Sequence, residues 1–227
     1  RSIGVVSVGH GNKRVADTIC NQVSNITHIS NLYAIEPQAL LAQKINKLSG
    51  YDMAMFFANS GAEANEGAIK IARKYGEINF DSKKYKIVTL GHSFHGRTIT
   101  TVKASGQKKM HSENFSPYPD GFSYKHKLDE LYETIDDQTV AVMIELIQGE
   151  GGVQPFPKED IQKLAAFCKD NGLLLIIDEV QTGAYRTGEF LASNLYDIEP
   201  DIITMAKGMG GGVPIGCVMT KHKDIFE

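Results

Sequence analysis

The stretch IITMAKGMGGG, residues 202–212, brings a single lysine, Lys207, from an apolar run to the mouth of a glycine-rich loop. The apolar run is typical of a buried strand, and lysine is rarely buried without a partner. A desolvated lysine amine can act as a nucleophile and form a Schiff base with an aldehyde. A solvated lysine just beyond a strand end is the alternative, so the interpretation of Lys207 depends on the rest of the chain.

Four more apolar runs precede this stretch and have the same continuous character. They lie at 53–58, 87–90, 140–146 and 173–177. Continuous rather than alternating apolar runs are typical of strands that are buried on both faces of a sheet. Because helical patterns separate several of these runs, as at 161–168, the sequence predicts an α/β fold with a mostly parallel central sheet flanked by helices.

Polar residues stand at the ends of the predicted strands, and parallel strands end at the same edge of a sheet. Ligands of such sheets bind beyond the carboxyl ends of the strands. We therefore expect a site at this edge, built from the residues at the ends of the five runs: Asn59, Ser60, His92, Glu145, Asp178 and Lys207.

The segment NSGAEANEG, residues 59–67, predicts the start of a helix. Ser60 and Glu63 match the S-x-x-E capping box, so the helix should begin at Gly61 and Ala62. Small residues in the first turn leave the backbone N–H groups accessible, and the helix dipole favours an anion there, typically a phosphate. A capped helix that binds nothing is the alternative, because capping boxes are common.

Asp178 ends the apolar run 173–177. Such an aspartate is a catalytic or metal-bound carboxylate, or a turn residue whose hydrogen bonds are satisfied. Together with a lysine and a phosphate site, it suggests pyridoxal phosphate. This cofactor needs a lysine for its aldehyde, an anion site for its phosphate and a carboxylate that keeps its ring nitrogen protonated.

The segment GHSFHGRT, residues 91–98, nearly matches the P-loop pattern G-x-x-x-x-G-K-[ST] and suggests a different function, that of an ATPase. Arg97 replaces the lysine, however, and bulky side chains fill a loop whose backbone should surround phosphates. A binding module without chemistry is a further alternative. His92 and His95 predict a packed or hydrogen-bonded pair rather than a metal site, because no third ligand is spaced nearby.

Composition narrows the function classes. The chain has 227 residues and a net charge of -3, which gives no electrostatic signature of a nucleic-acid or anionic-membrane partner. No apolar run approaches the roughly 18 residues of a membrane span. Because Cys20, Cys168 and Cys217 lie far apart and form no CxxC, we expect neither disulfides nor a zinc site, and a reducing, cytoplasmic setting.

The remaining segments predict the domain organisation. Asn12 caps a first helix, Pro37 opens a second that ends at Ser49 and Gly50, and residues 108–127 look like a long surface excursion. We expect an N-terminal segment at 1–35 and a large domain at 36–227. Because the chain begins at Arg1 and ends soon after a strand-like GCVMT, we also expect it to be part of a longer protein.

Five motifs taken together carry a family resemblance: NSGAEANEGAIKIAR, SFHGRT, QGEGGV, IIDEVQTGAYRTG and DIITMAKGMGGGVPIG, in this order. In this combination the chain resembles the class-III, pyridoxal-phosphate-dependent aminotransferases over nearly its whole length. The resemblance implies the large domain of a fold-type I pyridoxal-phosphate transferase and a homodimer with the site at its interface. The C-terminal small domain of such enzymes is missing here, so we expect no transamination by the isolated chain.

The resemblance also implies roles for individual residues. Lys207 would hold the cofactor as a Schiff base and then move a proton between substrate and cofactor carbons, while Asp178 would pair with the ring nitrogen. The residues that would otherwise contact the cofactor are Ser60, Gly61 and Ala62 at the phosphate, Phe94 and Val180 on the ring faces, Gln181 at the phenolic oxygen, and the adjacent Glu179. Arg97 would bind a substrate carboxylate, and Glu150 would pair with a substrate arginine of the missing domain.

The substrates follow from the same resemblance. HISNLYAIEPQ together with FHGRT is closest to members that exchange an amino group between N2-acetylornithine and 2-oxoglutarate in arginine biosynthesis. Members that act on ornithine, succinylornithine, succinyldiaminopimelate or 4-aminobutyrate are similar enough to stay as alternatives. The segment AYRTG departs from the family pattern, which puts the loop near Tyr185 in doubt. AKGMGGG departs slightly and leaves the role of Lys207 unchanged.

Overall fold

In the computed structural model, which describes residues 2–80 and 84–226, the apolar runs form one central sheet of seven strands. The strands in chain order are β1 (Ala54–Ala58), β2 (Lys86–Leu90), β3 (Phe122–Lys125), β4 (Thr139–Ile144), β5 (Ile147–Gln148), β6 (Gln154–Pro155), β7 (Leu174–Asp178), β8 (Ile202–Met205) and β9 (Gly216–Thr220). The central sheet has the order β1-β9-β8-β7-β4-β2-β3, and β5 and β6 form a separate pair.

The central sheet is mostly parallel, which confirms the predicted α/β class. Parallel pairing joins β3, β2, β4, β7 and β8, whereas β9 lies antiparallel between β8 and β1. Since two antiparallel pairings restore the direction, β1 runs the same way as β8. The carboxyl ends of β1, β2, β4, β7 and β8 therefore lie at one edge.

The helices are α1 (Lys13–Asn25), α2 (Glu36–Ser49), α3 (Gly61–Phe80), α4 (Ile99–Ala104), α5 (Lys158–Asp170) and α6 (Ala192–Leu195). Of these, α3 and α5 cover opposite faces of the central sheet. Successive side chains of a strand point to opposite faces. Met143 and Ile176 accordingly pack with the small residues of α3, while their neighbours Ile144 and Ile177 pack with α5. Burial from both sides explains why these strands have continuous apolar sequences.

Two predictions fail at the edges of the sheet. The run 53–58 was expected to be buried on both faces, but β1 is an edge strand on which Phe56 is 49% exposed. The predicted surface excursion 108–127 contains β3, which forms the other edge and is half-buried. Edge strands are covered less completely than central ones, so β1 is only partly buried although its sequence is apolar, and β3 forms without a continuous apolar run.

The N-terminal helices begin where the sequence predicts them. Asn12 Oδ1 accepts a hydrogen bond from Val15 N at 3.3 Å and caps α1, a helix in which none of the described residues is buried. Pro37 lies in the first turn of α2, which ends at Gly50 with a left-handed φ of 78°. The boundary between 35 and 36 stays a prediction. In the described part of the chain, no helix combines the length and the apolar character needed to cross a bilayer.

Candidate active site

The carboxyl ends of β1, β4, β7 and β8 open into one cavity of about 410 Å³. This volume lies within the range of small-molecule sites. The predicted site residues that line it are Ser60, Gly61, Ala62, Phe94, Arg97, Asp178, Val180, Gln181 and Lys207, and Glu145 and Asn59 line it too. All of the predicted strand-end residues except His92 therefore lie at this one cavity.

Lys207 reaches the cavity from the turn that follows β8. Its Nζ donates to Gln181 Oε1 at 3.2 Å, and its backbone adopts a φ of 45°, in the left-handed region. That conformation is uncommon for residues other than glycine, and strained residues often occur at functional sites. The half-buried amine is thus held at the end of a fully buried strand.

Asp178 is the last residue of β7 and is 4% exposed. Its Oδ2 accepts from Asn65 Nδ2 at 2.8 Å and lies 2.8 Å from His95 Nδ1. Its Oδ1 accepts from Val180 N at 3.0 Å and from Thr204 Oγ1 at 3.4 Å. A buried carboxylate needs such hydrogen bonds, and here they fix the orientation of both oxygens.

Asn65 and His95 are functional candidates that sequence reasoning missed. His95 was expected to pair with His92, but it is 1% exposed and contacts Asp178. The His92 ring instead lies 5.5 Å from the ring of His126, outside the cavity. A signal for Asn65 was present: it is an amide one turn after Gly61, on the face of α3 that otherwise carries buried alanines.

Glu145, immediately after β4, is a second buried carboxyl group in the cavity wall, with 5% of its surface exposed. Its Oε2 accepts from Phe94 N at 3.1 Å, and its Oε1 accepts from Gly149 N at 3.4 Å. Burial raises the pKa of Glu145 to about 7, with attraction to His95 opposing the shift and repulsion from Asp178 adding to it. Glu145 therefore connects the Phe94 loop to the β5–β6 segment.

The first turn of α3 forms the opposite wall. Ser60 Oγ accepts from Glu63 N at 3.2 Å, as the capping box predicts, but Glu63 Oε2 accepts from Asn59 N at 2.5 Å rather than from Ser60. The first N–H groups of a helix have no partner within the helix, which leaves those of Gly61 and Ala62 for a ligand. A Cβ on Gly61 would lie 2.7 Å from Val180 Cγ1, so this close packing requires glycine.

The loop at 91–98 brings Phe94 and Arg97 to the same cavity. The Arg97 guanidinium lies 5.9 Å from the centre of the Phe94 ring. Gly96 has a φ of 137°, and a Cβ there would lie 2.7 Å from the Cβ of Ala62. The loop thus packs against the first turn of α3 and leads only to the six-residue α4. The alternative of a P-loop is wrong, because Ser93 and His95 are buried side chains here and no long helix follows.

The structure does not bring two of the predicted residues to the cavity. Glu179 is buried, and its carboxylate accepts hydrogen bonds from Thr182 Oγ1, Ala192 N, Ser193 N and Ser193 Oγ. It therefore holds the loop that leads into α6. Glu150 is exposed and lines a separate cavity with His92 and His126.

Known proteins resemble this chain in sequence and in fold. The Aminotransferase class-III family matches residues 1–225. The acetylornithine aminotransferase of Wolinella succinogenes is 62% identical over 225 residues, which make up 99% of this chain and 57% of that protein. The solved ornithine aminotransferase of Toxoplasma gondii, with partial occupancy of PLP at its active site, is 31% identical with a TM-score of 0.91, over 99% of this chain and 55% of that one.

A second solved relative is the N-acetylornithine aminotransferase of Stenotrophomonas maltophilia. It is 33% identical with a TM-score of 0.81, over 96% of this chain and 55% of that one. The chain therefore spans little more than half the length of the relatives that it matches. Because the family match extends over almost all of the sequence, this chain belongs to the class-III aminotransferase family.

Proposed function

We propose that the protein containing this chain is an acetylornithine aminotransferase that uses pyridoxal phosphate to move an amino group between N2-acetylornithine and 2-oxoglutarate. The observation that carries the proposal is the convergence of Lys207, Asp178 and the first turn of α3 on one cavity. The identity of 62% to the acetylornithine aminotransferase of W. succinogenes supports this choice of amino donor.

The chemistry of the cavity wall fits the cofactor. The wall offers an amine, a buried carboxylate and helix N–H groups, which match an aldehyde, a ring nitrogen and a phosphate. Asn65 Oδ1 and His95 Nε2 are buried at this wall without a hydrogen-bond partner among the described residues, so polar atoms are available to a ligand. When bound, the cofactor supplies an aldehyde for amino groups and a ring that withdraws electrons from the reacting carbon of the substrate.

Residues on both walls hold the cofactor in this proposal. The N–H groups of Gly61 and Ala62, next to Ser60, bind the phosphate. Phe94 and Val180 enclose the ring and exclude water from it. The side chain of Glu179 does not take part, since its hydrogen bonds are used within its own loop.

Lys207 and Asp178 perform the proton chemistry. Asp178 would pair with the ring nitrogen of the bound cofactor, where its carboxylate favours the protonated form of that nitrogen. Lys207 Nζ takes a proton from the reacting carbon of the substrate and later returns one. Gln181 accepts from Lys207 Nζ through Oε1, so its Nε2 group is free to donate to the phenolic oxygen.

Arg97 provides the substrate contact, because its planar guanidinium suits a bidentate pair with a carboxylate. Arg97 is exposed at the cavity wall beside Phe94, so a substrate carboxylate that enters from solvent can reach its guanidinium. The pairing of Glu150 with an arginine stays a prediction and is not supported by its position. A homodimer with the site at the interface and a cytoplasmic location complete the proposal, on the family resemblance alone.

Borohydride reduction followed by peptide mapping tests the cofactor assignment. With pyridoxal phosphate we expect a pyridoxyl label on Lys207 in the natural chain and no specific label in Lys207→Ala. Lys70→Ala is the matched control, because Lys70 is exposed on α3 and does not line the cavity. A specific label on a different lysine of the natural chain contradicts the proposal.

Competition between amino donors tests the substrate. Ornithine is the second candidate, because the ornithine aminotransferase of T. gondii has the higher TM-score of the two named solved relatives. In the full-length protein we expect N2-acetylornithine to displace ornithine as the preferred donor. A preference for ornithine would leave the cofactor assignment intact and change the substrate.

A further inference from the structure

Asn65 is a buried amide that joins three walls of the cavity. It lies in the second turn of α3, is 1% exposed, and lines the cavity. Its Nδ2 donates to Asp178 Oδ2 at 2.8 Å and to the carbonyl oxygen of His95 at 2.7 Å. One side chain thus connects the helix at the anion site, the end of β7 and the loop that carries Phe94.

The chemistry of its partners determines the orientation of this amide. Both Nδ2 hydrogens of Asn65 point to acceptors, one a carboxylate oxygen and the other a carbonyl oxygen. Exchanging Nδ2 and Oδ1 would place an acceptor against these two acceptors, which is repulsive. Asn65 is therefore a donor to Asp178, and an aspartate of the same shape cannot replace it in that role.

His95 extends the connection into the loop. The ring Nδ1 of His95 lies 2.8 Å from the same Asp178 Oδ2 that Asn65 contacts. The backbone N–H of His95 donates to Ser105 Oγ at 2.9 Å. Phe94 immediately precedes it, and Phe94 N donates to Glu145. Loss of the Asn65 amide would release one of the two side-chain donors on Oδ2 and one restraint on the backbone beside Phe94.

We propose that Asn65 is a positioning residue, which fixes the Asp178 carboxylate and the Phe94 loop relative to the first turn of α3. The role rests on the proposed function, since it concerns the wall that would receive the cofactor ring. Asn65 acts through Asp178 and His95, and needs no contact of its own with the reacting atoms. Its effect is therefore on the orientation of the carboxylate and on the affinity for the cofactor.

Three variants of the full-length protein test this role. Asn65→Asp replaces the donor with an acceptor, Asn65→Ser keeps a shorter donor, and Asn79→Asp makes the same change at an exposed position of α3. In Asn65→Asp we expect the borohydride label to stay on Lys207, while cofactor affinity falls about tenfold and kcat falls roughly 100-fold, with little change in the donor KM. The absorption spectrum of the bound cofactor should change as well.

Asn65→Ser should show smaller losses of the same kind, and Asn79→Asp should behave as the natural protein. If Asn65→Asp keeps the natural affinity, spectrum and kcat, the proposal is wrong. It is equally wrong if Asn79→Asp causes losses as large as those of Asn65→Asp. Should Asn65→Asp fail to fold, the comparison of Asn65→Ser with Asn79→Asp decides in the same way.

A measurement on the protein without cofactor separates this proposal from the proposed function. The proton on His95 Nδ1, hydrogen-bonded to a buried carboxylate, should give a slowly exchanging downfield NMR resonance whose position changes in Asn65→Asp. If Lys207 of the natural protein is not labelled, the proposed function fails while the resonance still tests Asn65. A resonance unchanged in Asn65→Asp overturns the positioning role.

Discussion

The two ends of the central strands each hold an aspartate, Asp178 buried and Asp201 with 13% of its side chain exposed, and the two carboxylates have different partners. At the edge where β8 begins, Asp201 accepts from Lys221 Nζ at 2.7 Å, from His222 Nε2 at 3.3 Å and from Leu175 N at 2.8 Å. At the edge where β7 ends, Asp178 accepts from Asn65, His95, Val180 N and Thr204. A lysine neutralises the first carboxylate, whereas amide, imidazole, hydroxyl and backbone donors surround the second.

The pKa of Asp201 and that of Glu145, the second carboxyl group at the cavity, shift in opposite directions. Burial alone would raise the pKa of Asp201, but hydrogen bonds from His222, Leu175 N and Lys221 outweigh burial and lower it. At the other edge, burial raises the pKa of Glu145 to about 7. One edge thus uses a carboxylate to hold β7, β8 and the end of β9 together, and the other places two carboxyl groups at the wall of the cavity.

The largest expected effect is the loss of amino transfer in Asp178→Asn. A neutral amide cannot hold the proton of a ring nitrogen as a carboxylate does, so we expect kcat to fall on the order of 10²–10³-fold, the size of effect found for a lost electrostatic contact. The Lys207 label should persist, because the lysine is unchanged. Asp201→Asn, at the opposite edge, is the matched control and should transfer at the natural rate. Equal rates in Asp178→Asn and the natural protein would contradict a role of the Asp178 carboxylate in amino transfer.

Glu145→Gln tests the titration at the carboxyl edge. The pKa rises from 4.5 to about 7 on folding, so the folded chain binds more protons within this window and the free energy of unfolding falls as the pH rises. The variant should lack this pH dependence, which changes the free energy of unfolding of the natural chain by up to about 3 kcal/mol across the window. Urea unfolding at several pH values measures it, with the exposed Glu159→Gln as the control. Identical slopes in Glu145→Gln and the natural chain would contradict the assignment.

The smallest expected effect is the loss of stability in Asp201→Asn. Its carboxylate stabilises the fold above pH 3.8, and the contribution is lost as the pH falls through the lowered pKa of the folded state. At neutral pH we expect the free energy of unfolding to decrease by about 2 kcal/mol. In acid, the free energies of unfolding of the variant and the natural chain should become equal. The exposed Asp224→Asn should change it by less than about 0.5 kcal/mol. A difference between Asp201→Asn and the natural chain that persists at low pH would show that the charge is not the cause.

The central strands could be predicted from the sequence because burial on both faces leaves a continuous apolar run. The run 202–205 coincides with β8, and 140–146 and 173–177 differ from β4 and β7 by one or two residues at their ends. β3 was missed because it is a half-buried edge strand within a polar segment. Local sequence thus identifies the central strands well and the edge strands poorly, because the apolar run of β1 is only partly buried.

The site was predictable where its residues stand at strand ends or at a helix start. The contacts of Asn65 and His95 with Asp178 were not predictable, because this partner lies 113 and 83 residues away along the chain. The prediction that Glu179 contacts the cofactor has the opposite problem. Its neighbours Asp178 and Val180 line the cavity, but its own side chain points to the loop before α6. Proximity along a strand end does not determine the direction of a side chain.

The antiparallel strand β9 has a consequence for the reach of Lys207. Met205 pairs with Cys217, so the ten-residue connection that carries the lysine is anchored at both of its ends on neighbouring strands. In a parallel crossover, one end would lead away to a distant helix. Lys207 is the second residue of this connection and lies beside its anchored end, so the pairing of β8 with β9 fixes the backbone from which Nζ extends.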